Sequence, residues 1–332
     1  MNYFCTYFDQ HYLPRALALH HSLVACSVNF QLFAMCMDDE SFESLKSLNL
    51  PKITVIHLRE LEECYPALLK TKDTRTKVEY YYTCGPSYIL YVLQHYPYVD
   101  LITYLDADLY FFSDPKPILE EMDGHSIGII EHRFSKRQQK LKRFGKFNVG
   151  WLSFRHDEVG LECLRWWADR CMEWCYDRLE GDKFADQKYL DEFPLRFKSV
   201  RLVEHNGANL APWNLGNFSI AQRDGQIVVN DQPLIFFHFH GFKMLNSWLF
   251  DTNMGGYHST PSKLVQQRIF GRYIRELREV GKRVGPADTL REANRSKSRG
   301  YGTFLRVARA AAQVGFGILR RSYIISFSTA LR

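Results

Sequence analysis

Residues 99–115 read VDLITYLDADLYFFSDP, and the architecture of the chain turns on them. Leu101 to Leu105 form a short apolar run, the pattern of a strand buried on both faces. The run ends on Asp106-Ala107-Asp108. Two carboxylates one residue apart at the end of a buried strand repel each other and are costly to desolvate. A divalent cation removes the difficulty, because both acids supply hard oxygen ligands. Open α/β sheets bind ligands beyond the carboxyl ends of their strands, so this pair stands where such a fold puts its site. A metal held this way keeps positions open for phosphate oxygens and can offset charge on a departing diphosphate. The plainer alternative is a solvated Asp-x-Asp turn. The placement after LITYL and before LYFFSDP favours the metal.

Reading outward, residues 2–8 (NYFCTYF) suit a first buried strand, and Asp9 can cap the helix after it. Pro14 is tolerated in a first helical turn, after which Leu13, Leu17, His20 and Val24 share one helical face. Strands are predicted at 30–37 and 53–58, with a helix over 41–48 between them. This β-α-β-α-β opening is the signature of a parallel sheet covered by helices. Further on, the pattern predicts a helix over 86–95 with Pro86 near its start and a strand at 126–130. A turn and strand come next at 145–154, then a helix from Asp157 to about Leu179, short elements at 195–203 and 226–229, and a strong strand at 233–240. Cys163, Cys171 and Cys175 fall among helical Trp and Leu residues, which reads as a buried aromatic-thiol face rather than a metal site.

The 332 residues carry 46% apolar and 24% charged side chains, a globular balance. No run approaches the roughly 18 apolar residues of a membrane span. The first residues lack the basic start and apolar core of a signal peptide. The 8 cysteines follow neither a zinc nor a disulfide spacing, so reduced thiols and a cytoplasmic chain are expected. The net charge of +6 hides a step: residues 263–332 hold 16 Lys and Arg against 4 Asp and Glu, the preceding 262 hold 27 against 33. Gly255-Gly256 and Pro261 break the pattern near that step. The expected division is therefore a catalytic domain over 1–262 and a basic amphipathic, helical tail over 263–332. Apolar and basic residues interleave between Arg320 and Arg332, which suits the inner face of an anionic membrane. No nucleic-acid recognition motif accompanies those arginines.

The segment ITYLDADLYFFSDP resembles the metal-binding region of nucleotide-sugar glycosyltransferases of the GT-A fold. It looks most like the retaining family-8 group, which includes bacterial lipooligosaccharide galactosyltransferases and glycogenin. TYFDQHYLPRALALHHSL, FNVGWLSF, FADQKYLD and HFHG are similar to further family motifs, in the family's order, through most of residues 1–245. The resemblance implies an α/β GT-A fold, with a mixed and mostly parallel sheet flanked by helices. It implies that Asp106 and Asp108 hold Mn2+ or Mg2+, with His238 as third ligand and His240 as the alternative. A carboxylate-imidazole set leans toward Mn2+.

By the same resemblance, Asp9 and Tyr12 contact the uracil of a UDP-sugar, with Tyr7 beside them. Asn148 meets sugar hydroxyls, and Gly150 lets the backbone come close. Asp186 and Gln187 lie near the anomeric carbon as the catalytic pair. Gly241 belongs to the late H-x-x-G motif, and Lys243 reaches a phosphate one place ahead of the family position. The family's Arg after its paired tyrosines is missing from Tyr80-Tyr81-Tyr82-Thr83-Cys84, and Lys77 is its substitute. The implied reaction is metal-dependent transfer of a hexose, with retention, from a UDP-sugar to a hydroxyl of a glycan or glycolipid acceptor such as a lipopolysaccharide core. Pro212-Trp213-Asn214 and the basic segment 132–146 are the acceptor-side candidates. A membrane-associated nucleotide-sugar binder without transfer is the non-catalytic alternative. A haloacid-dehalogenase-type phosphatase also uses D-x-D after a strand, but its Gly-Thr turn is missing here.

Overall fold

The computed structural model describes residues 1–27, 29–285 and 323–325. The predicted opening is present as β1 (Asn2–Phe8), α1 (Leu13–Cys26), β2 (Phe30–Cys36), α2 (Asp39–Ser47) and β3 (Ile53–His57). Strands β4 (Leu101–Leu105), β5 (Leu109–Phe111), β6 (Ile127–Glu131), β7 (Phe147–Arg155) and β8 (Val200–Val203) come later in the chain. Seven of these form one sheet in the order β3-β2-β1-β4-β7-β6-β8. Parallel pairing joins β3, β2, β1 and β4, and again β6 and β8. Only β7 runs against its neighbours, wedged between β4 and β6. The sheet is therefore mixed and mostly parallel, as expected.

Several elements differ from the sequence pattern for identifiable reasons. The helix expected over 86–95 runs from Lys77 to His95, with Pro86 inside it. Its start is set by a capping box: Glu79 N–H donates to Thr76 Oγ1, and Thr76 N–H donates back to Glu79 Oε2. The helix expected to reach Leu179 stops at Glu173. Its Cys163, Leu164, Trp167 and Cys171 are buried together, as the aromatic-thiol face requires. On α1, Leu13, Leu17 and His20 are buried but Val24 is exposed, and Leu23 takes the buried place in the last turn.

The charge step at residue 263 is not a packing boundary. Residues Val265–Phe270 and the helix Gly271–Val284 continue without a break, and Ile269, Phe270, Tyr273, Ile274, Leu277 and Val280 are buried. Each such apolar side chain contributes roughly 1.5–3 kcal/mol on burial. The helix lies on α1, where His21 Nδ1 meets Glu276 Oε1 at 2.7 Å, and Tyr273 stacks on Phe239 at 3.8 Å. Arg275, Lys282 and Arg283 are exposed, while Arg272 lies over the Tyr110 and Phe112 rings and Arg278 over Phe250. Tyr323–Ile325, expected at a lipid interface, pairs antiparallel with Leu249–Asp251, and Ile324 is buried there. The remainder of the Arg320–Arg332 stretch lies outside the described residues. Among the described residues no helix is long and apolar enough to cross a membrane. All 8 cysteines are free thiols.

Candidate active site

The sheet brings the predicted metal ligands together by register. β5 pairs antiparallel with the strand Phe236–His238, placing His238 opposite Leu109. Phe239 N–H donates to the Asp108 carbonyl at 3.0 Å, which locks the two chain segments at the turn. On the other side, Asp106 N–H donates to the Gly150 carbonyl of β7 at 3.2 Å. The result is that His238 Nε2 lies 3.1 Å from Asp108 Oδ1 and 3.6 Å from Asp106 Oδ2. Single ligand atoms of Asp108, His238 and His240 lie within 4.8 Å of one another, so the expected alternative ligand shares the same corner.

The electrostatics of this corner fit a bound cation. Burial pushes the Asp106 carboxyl up to about 6, with Asp108 adding and His238 opposing. Burial works against the Asp108 charge as well, but the His238 imidazole holds it down at about 2. Burial also disfavours a charged His238, yet Asp108 and Asp106 raise its imidazole above the usual value. A proton on His238 thus does part of what a divalent ion would do. Asp106 Oδ1 accepts from Tyr104 Oη at 2.9 Å, which leaves Oδ2 facing the histidine. Asp108, His238 and His240 form a carboxylate-imidazole set able to hold a divalent ion, with Asp106 Oδ2 beside them at 3.6 Å from His238 Nε2.

Asn148 and Gly150 pack against His238, and Asn148 also lines the adjoining cavity. The β6–β7 register shifts between Ile129 and Ile130, so β7 bulges at the site. Asn148 is buried, and its Oδ1 lies 3.2 Å from His238 Nδ1. A Cβ on Gly150 would come within 2.7 Å of Asn148 Oδ1 and 2.9 Å of the His238 ring. The missing side chain at Gly150 leaves room for the His238 ring.

A cavity of about 830 Å3 opens from Asp106 and His238. Tyr7, Asp186, Gln187, Trp213 and residues between His132 and Phe144 line it. Asp186 follows Ala185, whose φ of 45° turns the chain inward, and Trp167 Nε1 donates to the Asp186 carbonyl at 2.9 Å. Burial pushes the Asp186 carboxyl up to about 8, and the Asp106 charge adds to the shift. Gln187 Nε2 donates to the Phe144 carbonyl at 3.1 Å, tying the catalytic-side turn to the basic segment.

The remaining expected donor contacts lie outside that cavity. Asp9 Oδ1 accepts from the N–H groups of His11 and Tyr12, and Oδ2 pairs with Lys77 Nζ at 2.9 Å. Tyr12 is exposed and carries the Arg15 guanidinium over its ring at 4.4 Å. Gly241 has a φ of +67°, and a Cβ there would collide with Asn253. Lys243 sits on a short strand opposite Asp251, its side chain exposed.

No protein-family profile matches the chain. The uncharacterised protein YfnF of Bacillus subtilis strain 168 is 36% identical over 251 residues, 73% of this chain and 82% of YfnF. YfnD of the same organism is 30% identical over 279 residues, 83% of this chain and 88% of YfnD. The chain belongs to the family of YfnF and YfnD. Among solved structures, the galactosyltransferase LgtC in complex with donor and acceptor sugar analogs superposes with a TM-score of 0.52 at 13% identity. The match covers 84% of this chain and 95% of LgtC. At that identity the likeness speaks to the fold, which is that of the GT-A glycosyltransferases and resembles family 8.

Two residues of this YfnF/YfnD-family chain carry no motif and are missed by sequence reasoning. Arg15 is 2% exposed, donates to the Phe242 carbonyl at 3.0 Å, and helps hold the Asp108 charge. Its only signal is a guanidinium inside the apolar run LPRALAL. His132, inside the basic segment expected on the acceptor side, is buried with its ring stacked on Phe134 at 4.5 Å. Nothing in HRFSKRQQK separates it from a solvated histidine.

Proposed function

We propose that this protein is a metal-dependent hexosyltransferase that moves a sugar from UDP to a hydroxyl of a glycan or glycolipid, with retention. The observation that carries the reading is that His238 lies within 3.1 Å of Asp108 and 3.6 Å of Asp106, and that Asp106 and His238 line a cavity that Asp186 and Gln187 also line. Held by Asp106, Asp108 and His238, Mn2+ or Mg2+ would supply the Lewis acid that offsets charge on the leaving UDP. Asp9, Tyr12 and Lys77 would meet the base end of the donor, and Tyr7 the region nearer the sugar.

Asp186 is suited to orienting the sugar rather than attacking it. A carboxyl pushed up to about 8 is protonated at neutral pH, so it donates a hydrogen bond to a hydroxyl. The Gln187 amide is a poor nucleophile. Same-face attack by the acceptor is the retaining route this pair supports, with positioning carrying much of the barrier reduction. Trp213 lines the cavity with its ring packed edge-on against His132, His238, His240 and Tyr257. The 8 free thiols support a cytoplasmic setting. The test is hydrolysis of a panel of UDP-sugars with and without Mn2+. Release of UDP that needs both the metal and one particular sugar supports the proposal; indifference to Mn2+ across the panel contradicts it.

A further inference from the structure

We propose that a buried hydrogen-bond relay running from the Lys146 carbonyl through His132 and Asn148 fixes which nitrogen His238 presents to the metal corner. The inference rests on the reading of His238 as a metal ligand, and assigns His132 and Asn148 as positioning residues. Both His132 N–H and His132 Nδ1 reach the Lys146 carbonyl, at 3.0 and 3.2 Å. His132 Nε2 lies 3.3 Å from Asn148 Nδ2, and Asn148 Oδ1 lies 3.2 Å from His238 Nδ1.

An amide can be turned over, so its direction needs an argument. A main-chain carbonyl only accepts, so His132 Nδ1 carries a proton. Burial pushes the His132 imidazole down to about 3, so the ring is neutral and Nε2 must accept. Asn148 therefore turns its NH2 group to His132 and its oxygen to His238. His238 Nδ1 must then donate, which leaves Nε2 as the nitrogen facing Asp106 and Asp108. The polarity of one backbone carbonyl is passed through three side chains to the corner. The relay's first ring is held in place on several sides. Trp213 Nε1 and Asn214 Nδ2 donate to the His132 carbonyl at 2.8 and 2.9 Å, and Phe134 stacks on its ring.

This arrangement leaves little of Asn148 for a sugar hydroxyl, the contact the resemblance implied. Partners of this kind, one step behind a ligand, are worth about 10–100-fold in metal affinity.

Nitrogen-15 NMR of the metal-free protein reads the relay directly. His132 should carry its proton on Nδ1, the form less favoured in water, and Asn148→Asp should add a proton at His132 Nε2. In Mn2+ titrations Asn148→Leu and His132→Phe should weaken binding by about 10–100-fold. Asn148→Asp, which still accepts from His238 Nδ1, should stay within a few-fold of wild type. A His132 protonated at Nε2 in the wild type overturns the relay. So does Asn148→Leu binding Mn2+ as wild type does, with the wild type binding normally. A wild-type protein that binds no Mn2+ overturns the metal reading instead, which separates the two failures.

Discussion

Two parts of the site were expected to grip the donor, and they are built differently. At the metal corner every group has a position dictated by strand pairing. Asp106 is tied to Gly150, Asp108 to Phe239, and His238 stands in register with Leu109. At the base end the expected contacts satisfy one another: Asp9 caps its own turn and pairs with Lys77, while Tyr12 is exposed beneath Arg15. The corner is preorganised, and its like charges are held close at a cost that a cation relieves. At the base end Asp9 is buried, but the Lys77 side chain paired with it is more than half exposed and free to give way to a ligand. The proposed chemistry falls on the sheet, and the proposed recognition on side chains that can exchange partners.

The sharpest way to break this contrast is to remove a corner ligand. Asp108→Asn and His238→Ala should each lower Mn2+ affinity and UDP-sugar turnover by more than about 100-fold, beyond the effect of a partner one step behind. Calorimetric titration and a UDP-release assay check this. Gly150→Ala should come next: its methyl group would press on Asn148 and the His238 ring, costing about 1–3 kcal/mol of stability and loosening Mn2+ binding. Urea unfolding with and without Mn2+ would show both effects, and a fully stable variant with unchanged affinity would remove the crowding argument.

Asp186 sharpens the comparison through pH. Its folded value of about 8 lies above the ordinary carboxylate value, so the folded state holds a proton that the unfolded state has lost. Stability from this group is present at low pH and is lost as pH rises from about 4 toward 8. Unfolding midpoints of Asp186→Asn measured across that range should fall less steeply than those of wild type; parallel curves would count against the buried, protonated carboxyl. The smallest effect is expected at Lys77→Ala. With the Lys77 side chain itself more than half in water, stability should change by less than about 1 kcal/mol, while the KM for UDP-sugar rises a few-fold.

Much of the corner was legible in the sequence, and the reasons are local. LITYL followed by two carboxylates encodes a buried strand with a charged end, and alternating apolar runs encode the β-α-β opening. The antiparallel β7 was not legible, because FNVGWLSF has the same apolar character in either direction. The long helix Lys77–His95 was hidden by attention to Pro86, although Thr76 and Glu79 spell its capping box. The helix Gly271–Val284 was assigned by charge to the tail, yet Tyr273, Ile274, Leu277 and Val280 already show a buried face. His132 could not be found from the chain, since its role depends on Lys146, Asn148 and Trp213 meeting around it in space.

The most direct measurement is anomalous scattering from crystals grown with Mn2+ and UDP. A single strong peak is predicted among Asp106 Oδ2, Asp108 Oδ1 and His238 Nε2, with UDP phosphate oxygens completing its coordination. UDP bound in the cleft with no peak at that corner, or with Mn2+ held elsewhere, would contradict the account.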